Sequence, residues 1–340
     1  MGYCNVCLKN LNNEHIEYCS ICGAPMHNHC TEHCIECGKP LCPECAVMNR
    51  GRCTDCFDVK KPFKRIRRSY LQDYVHCPYN LYLNAVLGKV PPMGGAAQAG
   101  VILHDIIEKM QNGEMEWLET QDEFTERCEE WNKGLRKKSD LEFDYSLITD
   151  IKVHNGIDCL DNWYMNVRPK LNNRQFITEK NIRFSIGEES DIGCTLDRVE
   201  WDDDSKIHIH DWKTGKPLAG QQLVKNLQPG VYIYAVYKEF GEWAETFSLH
   251  YIHAPYKRIT YYHQGNGVYE VRTTKNVYTL NVLDTIEKCR EIIRHINAAE
   301  FPANAKLWYC EGMCWYNKTG DCVGTGIERK ANPKSEATVS

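Results

Sequence analysis

The sequence predicts an α/β fold, a mixed central sheet flanked by helices, behind a small cysteine-rich N-terminal domain. Three observations carry this. Eleven of the 19 cysteines fall within the first 56 residues, mostly as C-x-x-C pairs. Beyond residue 69, short segments with apolar residues at alternate positions mark strands. Longer segments with helical spacing stand on both sides of that strand-rich centre.

The 340 residues suffice for one large domain and one small one. A net charge of −5 gives no global signature of nucleic-acid binding, so any basic surface must be local. No apolar run reaches the length of a membrane span, and MGYCNVC has no signal-peptide h-region. A soluble, intracellular (cytoplasmic) protein without membrane partners is expected, and in that reducing compartment clustered thiols serve as metal ligands.

Residues 1–58 form the cysteine module. Its pairs are Cys4/Cys7, Cys19/Cys22, Cys34/Cys37, Cys42/Cys45 and Cys53/Cys56, with Cys30 single and His27 three residues before it. Eleven thiols and one imidazole make twelve ligands, enough for three tetrahedral zinc sites; two zincs with some thiols unused is the alternative. So small a module cannot fold on apolar burial alone, and metal stabilises it. Closed cysteine sets leave no open coordination position, so the zinc is expected to be structural and the module to contact protein or DNA. Residues 59–68, VKKPFKRIRR, carry six basic side chains and read as a linker or as a phosphate-contacting strip. The large domain spans 69–323, and 324–340 is a disordered tail without apolar periodicity.

Within the large domain, SYLQDYVHCPYNLYLNAVLG has helical spacing around a Cys-Pro break. QAGVILHDIIEKMQNG predicts a helix with Val101, Leu103, Ile106, Ile107 and Met110 apolar. RQFITEKNIRFSI, DIGCTLDRVEW, SKIHIHDWKT, AETFSLHYIHA and KRITYYHQ predict strands. TLNVLDTIEKCREIIRHINAAEF predicts a helix carrying Leu283, Ile286, Ile292, Ile293 and Ile296.

The segment 193–215 reads as an antiparallel hairpin. Pairing Trp201 with Ile207 places Val199 opposite Ile209, Asp197 opposite Asp211 and Thr195 opposite Lys213, all on one face. Two carboxylates forced together repel unless a cation lies between them. Magnesium, held by one or two carboxylates and substrate phosphate oxygens, answers that need, with Lys213 placed to serve water or phosphate. An Asp–Asp–Lys salt-bridge cluster on a half-exposed sheet is the plainer alternative. Taken alone, His104 reads as a satisfied core histidine, and Gln228 and Tyr232 as ordinary packing at i and i+4. Cys128, Cys159, Cys194 and Cys289 read as inert core thiols. YIHAPYKRITYYH reads as two strands and an exposed turn, with base stacking as the alternative.

These motifs, in this order, resemble the PD-(D/E)XK nucleases of the RecB type, in the branch with an iron–sulfur cluster: AddB nuclease domains, CRISPR adaptation nucleases and exonuclease V. SYLQDYVHCPYNLYL resembles the opening segment with Cys77, AGVILHDIIEKM the helix bearing His104, CTLDRVEW the strand with Asp197, and HDWKTGK that with Asp211 and Lys213. QPGVY matches the Q-x-x-x-Y helix with Gln228 and Tyr232, and FPANAKLWYCEGMCWYNKTGDC the terminal segment with Cys310, Cys314 and Cys322.

The resemblance covers about 69–323 and implies a restriction-endonuclease-like fold. It implies that His104, Asp197, Asp211 and the Trp212 carbonyl hold Mg2+ or Mn2+, that Lys213 serves the attacking water, and that Gln228 and Tyr232 support the lysine and the DNA. Cys77, Cys310, Cys314 and Cys322 would bind a [4Fe–4S] cluster, or zinc, since the last spacing is longer than the commonest in the family. Glu179 is expected near the site, where relatives often carry a glutamate, though not as a metal ligand. Cys194 stands where the family glycine is usual, suggesting a small bulge, and Pro229 suggests a helix starting near Gln228 or kinked there.

No P-loop motif appears, so no motor is expected and the substrate is DNA already single-stranded or frayed. The resemblance implies a 5′ to 3′ exonuclease of DNA repair, recombination or processing. The rival reading is a zinc-finger interaction protein with a catalytically silent DNA-binding domain. Oligomeric state is not legible.

Overall fold

A computed structural model describes residues 16–19, 25–27, 30–34, 38–42, 63, 65–135, 139–172, 175–188, 190–304, 310 and 314–322. The zinc candidates Cys4, Cys7, Cys22, Cys37, Cys45, Cys53 and Cys56, residues 59–62 and 64 of the basic segment, and the tail lie outside these residues. The chain divides into two compact units, one of residues 1–91, 188–190 and 291–340, the other of 92–187 and 191–290.

The strands are β1 (Ile16–Tyr18), β2 (Pro25–His27), β3 (Glu32–His33), β4 (Pro40–Leu41), β5 (Arg65–Arg67), β6 (Phe176–Phe184), β7 (Asp191–Trp201), β8 (Ile207–Lys213), β9 (Thr246–Tyr251), β10 (Lys257–Gly265), β11 (Val268–Arg272) and β12 (Val277–Asn281). The helices are α1 (Arg68–His76), α2 (Pro78–Leu81), α3 (Gly95–Gln111), α4 (Thr120–Gly134), α5 (Asp140–Ser146), α6 (Asp150–Asn162), α7 (Gln222–Lys225), α8 (Leu227–Phe240), α9 (Val282–Asn297) and α10 (Trp315–Thr319).

In the first unit, β1 and β2 form one small ladder and β3 and β4 another. The turn after Cys34 closes by the Gly38 N–H donating to the Cys34 carbonyl at 2.8 Å, with Gly38 at φ 75, a conformation glycine adopts without steric cost. Cys19, Cys34 and Cys42 are buried and Cys30 is half-buried; His27 closes β2. The Cys-Pro break is real: α1 ends at His76, Cys77 is extended, and Pro78 opens α2, where its missing N–H costs nothing. Chain ends distant in sequence meet here. Lys89 pairs with Asp321 at 2.6 Å, the Tyr316 hydroxyl donates to the Lys89 carbonyl, and Tyr82 packs on Phe301.

In the second unit, seven strands form a mixed sheet in the order β12-β11-β10-β9-β8-β7-β6. Every pair is antiparallel except β8 with β9, where His208–Lys213 runs parallel to Thr246–Tyr251. Helices α3, α4 and α6 pack around Ile102, Leu103, Ile106, Phe124, Leu160 and Trp163, and Trp212 of β8 enters the same cluster. Gly156 lets α6 approach α4, since a Cβ there would stand 2.2 Å from the Phe124 ring. Helix α8 packs on β6 and β7. This is the α/β architecture expected, with a mixed sheet flanked by helices.

Several details differ from expectation. Val101 and Leu283 are half-exposed, not core, because each falls on the flank of its helix. Strands β11 and β12 and helices α4 to α6 were not individually legible. Helix α8, by contrast, starts near Gln228 as expected: it begins at Leu227, capped by the Asn226 side chain accepting from the Gln228 N–H, with Pro229 in the first turn. The β6–β7 register runs through Cys194 without a slip; the irregular residue is instead Glu179, at φ 45.

Candidate active site

The hairpin register holds where apolar residues specify it, with Trp201 opposite Ile207 and Val199 opposite Ile209. It does not continue as expected. The β7–β8 ladder ends at Arg198 with His210, so Asp197 with Asp211 and Thr195 with Lys213 are not ladder pairs. Beyond that point β7 stays paired with β6 while β8 follows β9, and the two strands part. The acids lie at this parting. The Asp197 carboxylate takes the place of a backbone acceptor, receiving the Trp212 N–H at 2.7 Å.

His104, on the half-buried flank of α3, places Nδ1 3.5 Å from Asp197 Oδ2. Glu179 of β6 faces Asp197 of β7, at the one position of that ladder where the pairing is interrupted. Its φ of 45 is a left-handed conformation that a side-chain-bearing residue holds at a cost of about 1–3 kcal/mol. One donor atom each from His104, Glu179 and Asp197 lies within 4.8 Å of the others. Glu179 therefore lies near the acids, as expected, with a donor atom in the cluster.

Asp211 is buried on the β8 strand. Gln228 Nε2 donates to its Oδ1 at 2.9 Å, and Lys213 Nζ is ion-paired with its Oδ2 at 2.5 Å. Tyr232 is buried one turn after Gln228 with its ring edge-on to Phe247. Cys128, Cys159 and Cys289 are buried thiols whose pKa burial pushes up, to about 11, 12 and 12.

The electrostatics are those of a site short of positive charge. Burial, then the charge of Asp197, pushes Glu179 up to about 7. Burial, with Asp197 adding, also raises Asp211 despite Lys213. Asp197 runs the other way: burial works to raise it, but His104, Lys213 and the Trp212 N–H outweigh that and hold it low. Burial works to lower His104, yet the Asp197 charge and hydrogen bond leave it raised. Two carboxyls and an imidazole with donor atoms close together, and a third carboxyl, Asp211, paired with Lys213 beside them, suit a hard divalent cation.

The opposite face of β7 and β8 holds a buried polar chain that sequence reading missed. Arg198, fully buried, donates to Glu200 at 2.8 Å and stacks on Phe176. Glu200 Oε1 meets His210 Nε2 at 3.1 Å, His210 Nδ1 meets His250 Nε2 at 2.9 Å, and His250 Nδ1 meets the Tyr256 hydroxyl at 3.0 Å. With the carboxylate as terminal acceptor, every donor points one way, from Tyr256 to Glu200. Trp212 packs against both imidazoles. The available signal was polar residues on both faces of a central strand, in IHIHDWK.

Among curated proteins, none matches the chain. A family model does: that of the PD-(D/E)XK nuclease superfamily aligns with residues 68–319, about three quarters of the length. No described helix is long and apolar enough to cross a membrane. Taken with the mixed sheet and the acids at its parting strands, this match means that the chain belongs to the PD-(D/E)XK nuclease superfamily, a family of metal-dependent nucleases.

Proposed function

We propose that the chain is a deoxyribonuclease of the RecB type, degrading single-stranded or frayed DNA from 5′ to 3′ in repair, recombination or processing. The observation that carries the reading is the convergence of His104, Glu179 and Asp197 beside the Asp211–Lys213 pair. His104, Asp197 and Asp211, with Glu179, would hold Mg2+ or Mn2+, which when bound supplies Lewis acidity to the scissile phosphate and acidifies water. The Trp212 carbonyl is a further candidate donor, on a residue whose N–H is tied to Asp197.

Lys213 orients the attacking water and offsets charge developing on the phosphate. Gln228 fixes Asp211, so the lysine acts from a defined position. Tyr232 supports the lysine and the DNA from the same helix face as Gln228.

The test compares wild type and Lys213→Ala on end-labelled single-stranded DNA with magnesium, with manganese and with chelator. Metal-dependent cleavage lost in the variant supports the reading. Absence of cleavage in both, from protein with its thiolate metals intact, overturns it in favour of a DNA-binding interaction protein. Mononucleotide release from 3′-labelled ends alone overturns the polarity.

Cys77, Cys310, Cys314 and Cys322 would bind a [4Fe–4S] cluster. The first three are buried and Cys322 is half-buried, all within one compact unit. The Asn304 N–H points at Cys77 Sγ at 3.5 Å, a contact that suits a thiolate. Burial raises Cys314, with the neighbouring Cys322 and Cys310 adding to the rise. The N-terminal cysteines and His27 would hold two or three structural zinc ions. Iron, sulfide and zinc content of purified protein tests both assignments.

A further inference from the structure

Lys213 lies opposite Tyr251 in the parallel β8–β9 ladder, and the Ile252 N–H donates to the Lys213 carbonyl at 2.9 Å. Immediately beyond this pair the two strand ends enclose a cavity of about 640 Å³. One wall is Thr214–Gly215–Lys216–Pro217; the other is Tyr251 and the loop His253–Lys257. Its volume falls among the ~300–1,000 Å³ of small-molecule pockets.

Four features describe what it takes. Its interior is made of prolines, an alanine and two tyrosine rings. Both tyrosine hydroxyls are already engaged: that of Tyr251 accepts from the Leu218 N–H at 3.1 Å, and that of Tyr256 is tied to His250 at 3.0 Å. The rings therefore offer mainly apolar surface, with the Tyr251 O–H as the donor that these contacts leave over. The charged lining residues are Lys216 and Lys257, with His253 beside them and no acid among them, and Lys170 stands 5.4 Å from the Tyr256 ring centre. Finally, Tyr256 is the outer end of the buried chain that runs through His250 and His210 to Glu200 and Arg198, so its ring is held in place from the core.

We propose that this cavity seats an unstacked nucleobase of the strand being cut, adjacent to the scissile phosphate, with Lys216 and Lys257 on the flanking phosphates. It rests on the nuclease reading, and deepens it by assigning the selection of unpaired strands. A base can enter only when it is out of its pair and stack, whereas a duplex presents only its backbone to the lysines. Tyr256 is thereby a specificity-determining residue, and His250, His210 and Glu200 are positioning residues behind it.

The substrate can be altered while the full chain stays intact. A set of single-stranded oligonucleotides carries one abasic site each, stepped along the strand. Their affinities for Lys213→Ala are measured by fluorescence anisotropy, and KM and kcat are measured with wild type. The expected result is one position, beside the cut, where losing the base weakens binding and raises KM by ~5- to ~150-fold, the range for one stacked base. In Tyr256→Ala the intact strand should bind as weakly as the abasic one. Lys216→Glu, an exposed change that spares the fold, should weaken both equally and with salt dependence.

Equal affinity at every abasic position overturns the proposal, as does an abasic penalty that survives Tyr256→Ala. If Tyr256→Ala does not fold, the abasic series on the other two proteins decides. Loss of cleavage in wild type with the positional binding penalty retained would overturn the nuclease reading and leave the base pocket standing.

Discussion

Glu179→Gln should make the cation-free protein more stable at alkaline pH and unchanged at acid pH. In the fold the carboxyl is pushed from 4.5 up to about 7 by burial and by Asp197. A carboxyl whose folded pKa is raised binds protons more tightly in the native state, so its contribution is complete below the unfolded value and is lost as pH rises through the folded one. Each unit is worth ~1.4 kcal/mol. The side chain is partly open to solvent, and discounting by about half for screening leaves ~1.5–2 kcal/mol of native-state destabilisation above about pH 7.5. Glutamine removes that charge. For a unit of roughly 200 residues this corresponds to a Tm higher than wild type by ~3–8 °C at about pH 8.5, with no difference at about pH 4.5.

The assay is thermal unfolding in magnesium-free buffer, which leaves thiolate-bound metals in place, followed by repetition with added Mg2+ or Mn2+. With the cation, the wild-type carboxylate becomes a ligand. The metal-induced rise in Tm should therefore be larger in wild type than in the variant. A variant with a lower Tm than wild type at the alkaline pH without cation would refute the reasoning, because Glu179 would then be a native ion-pair partner and not an acid crowded by Asp197.

Gln228→Leu frees Asp211 Oδ1 and should lower kcat by about 10- to 100-fold with little change in KM, since the change falls on a carboxylate's support and not on DNA contact. Glu200→Gln leaves the Arg198 guanidinium buried without its carboxylate and should cost about 3–5 kcal/mol in urea unfolding, a penalty that Arg198→Met added to it should partly recover. Gly156→Ala forces a methyl to within 2.2 Å of the Phe124 ring and should destabilise the second unit by about 1–3 kcal/mol, read by the same unfolding experiment.

The local sequence determined the elements whose patterns are self-sufficient. The apolar positions of β7 and β8 specify their pairing because a one-residue slip would expose Ile207 and Ile209, and the register there is as the pattern requires. The Cys-Pro break and the Asn226 cap are likewise written in a few adjacent residues. The motif order of His104, Asp197, Asp211, Lys213 and Gln228 was legible as well, and these residues lie in one compact unit.

Tertiary structure decided the rest. The apolar pattern of the hairpin carries no mark of where β8 leaves β7, because that depends on the competing ladders with β6 and β9. The left-handed backbone of Glu179 is seen only in the folded sheet, and its raised pKa comes from burial there and then from the charge of Asp197 across the ladder. Arg198, Glu200, His210, His250 and Tyr256 come from separate segments, and their hydrogen bonds form only once parallel β8 and β9 bring the two imidazoles to 2.9 Å. Pattern along a chain reports which face a residue takes; the neighbours across that face, which set its charge and its work, are fixed by the packing of distant segments.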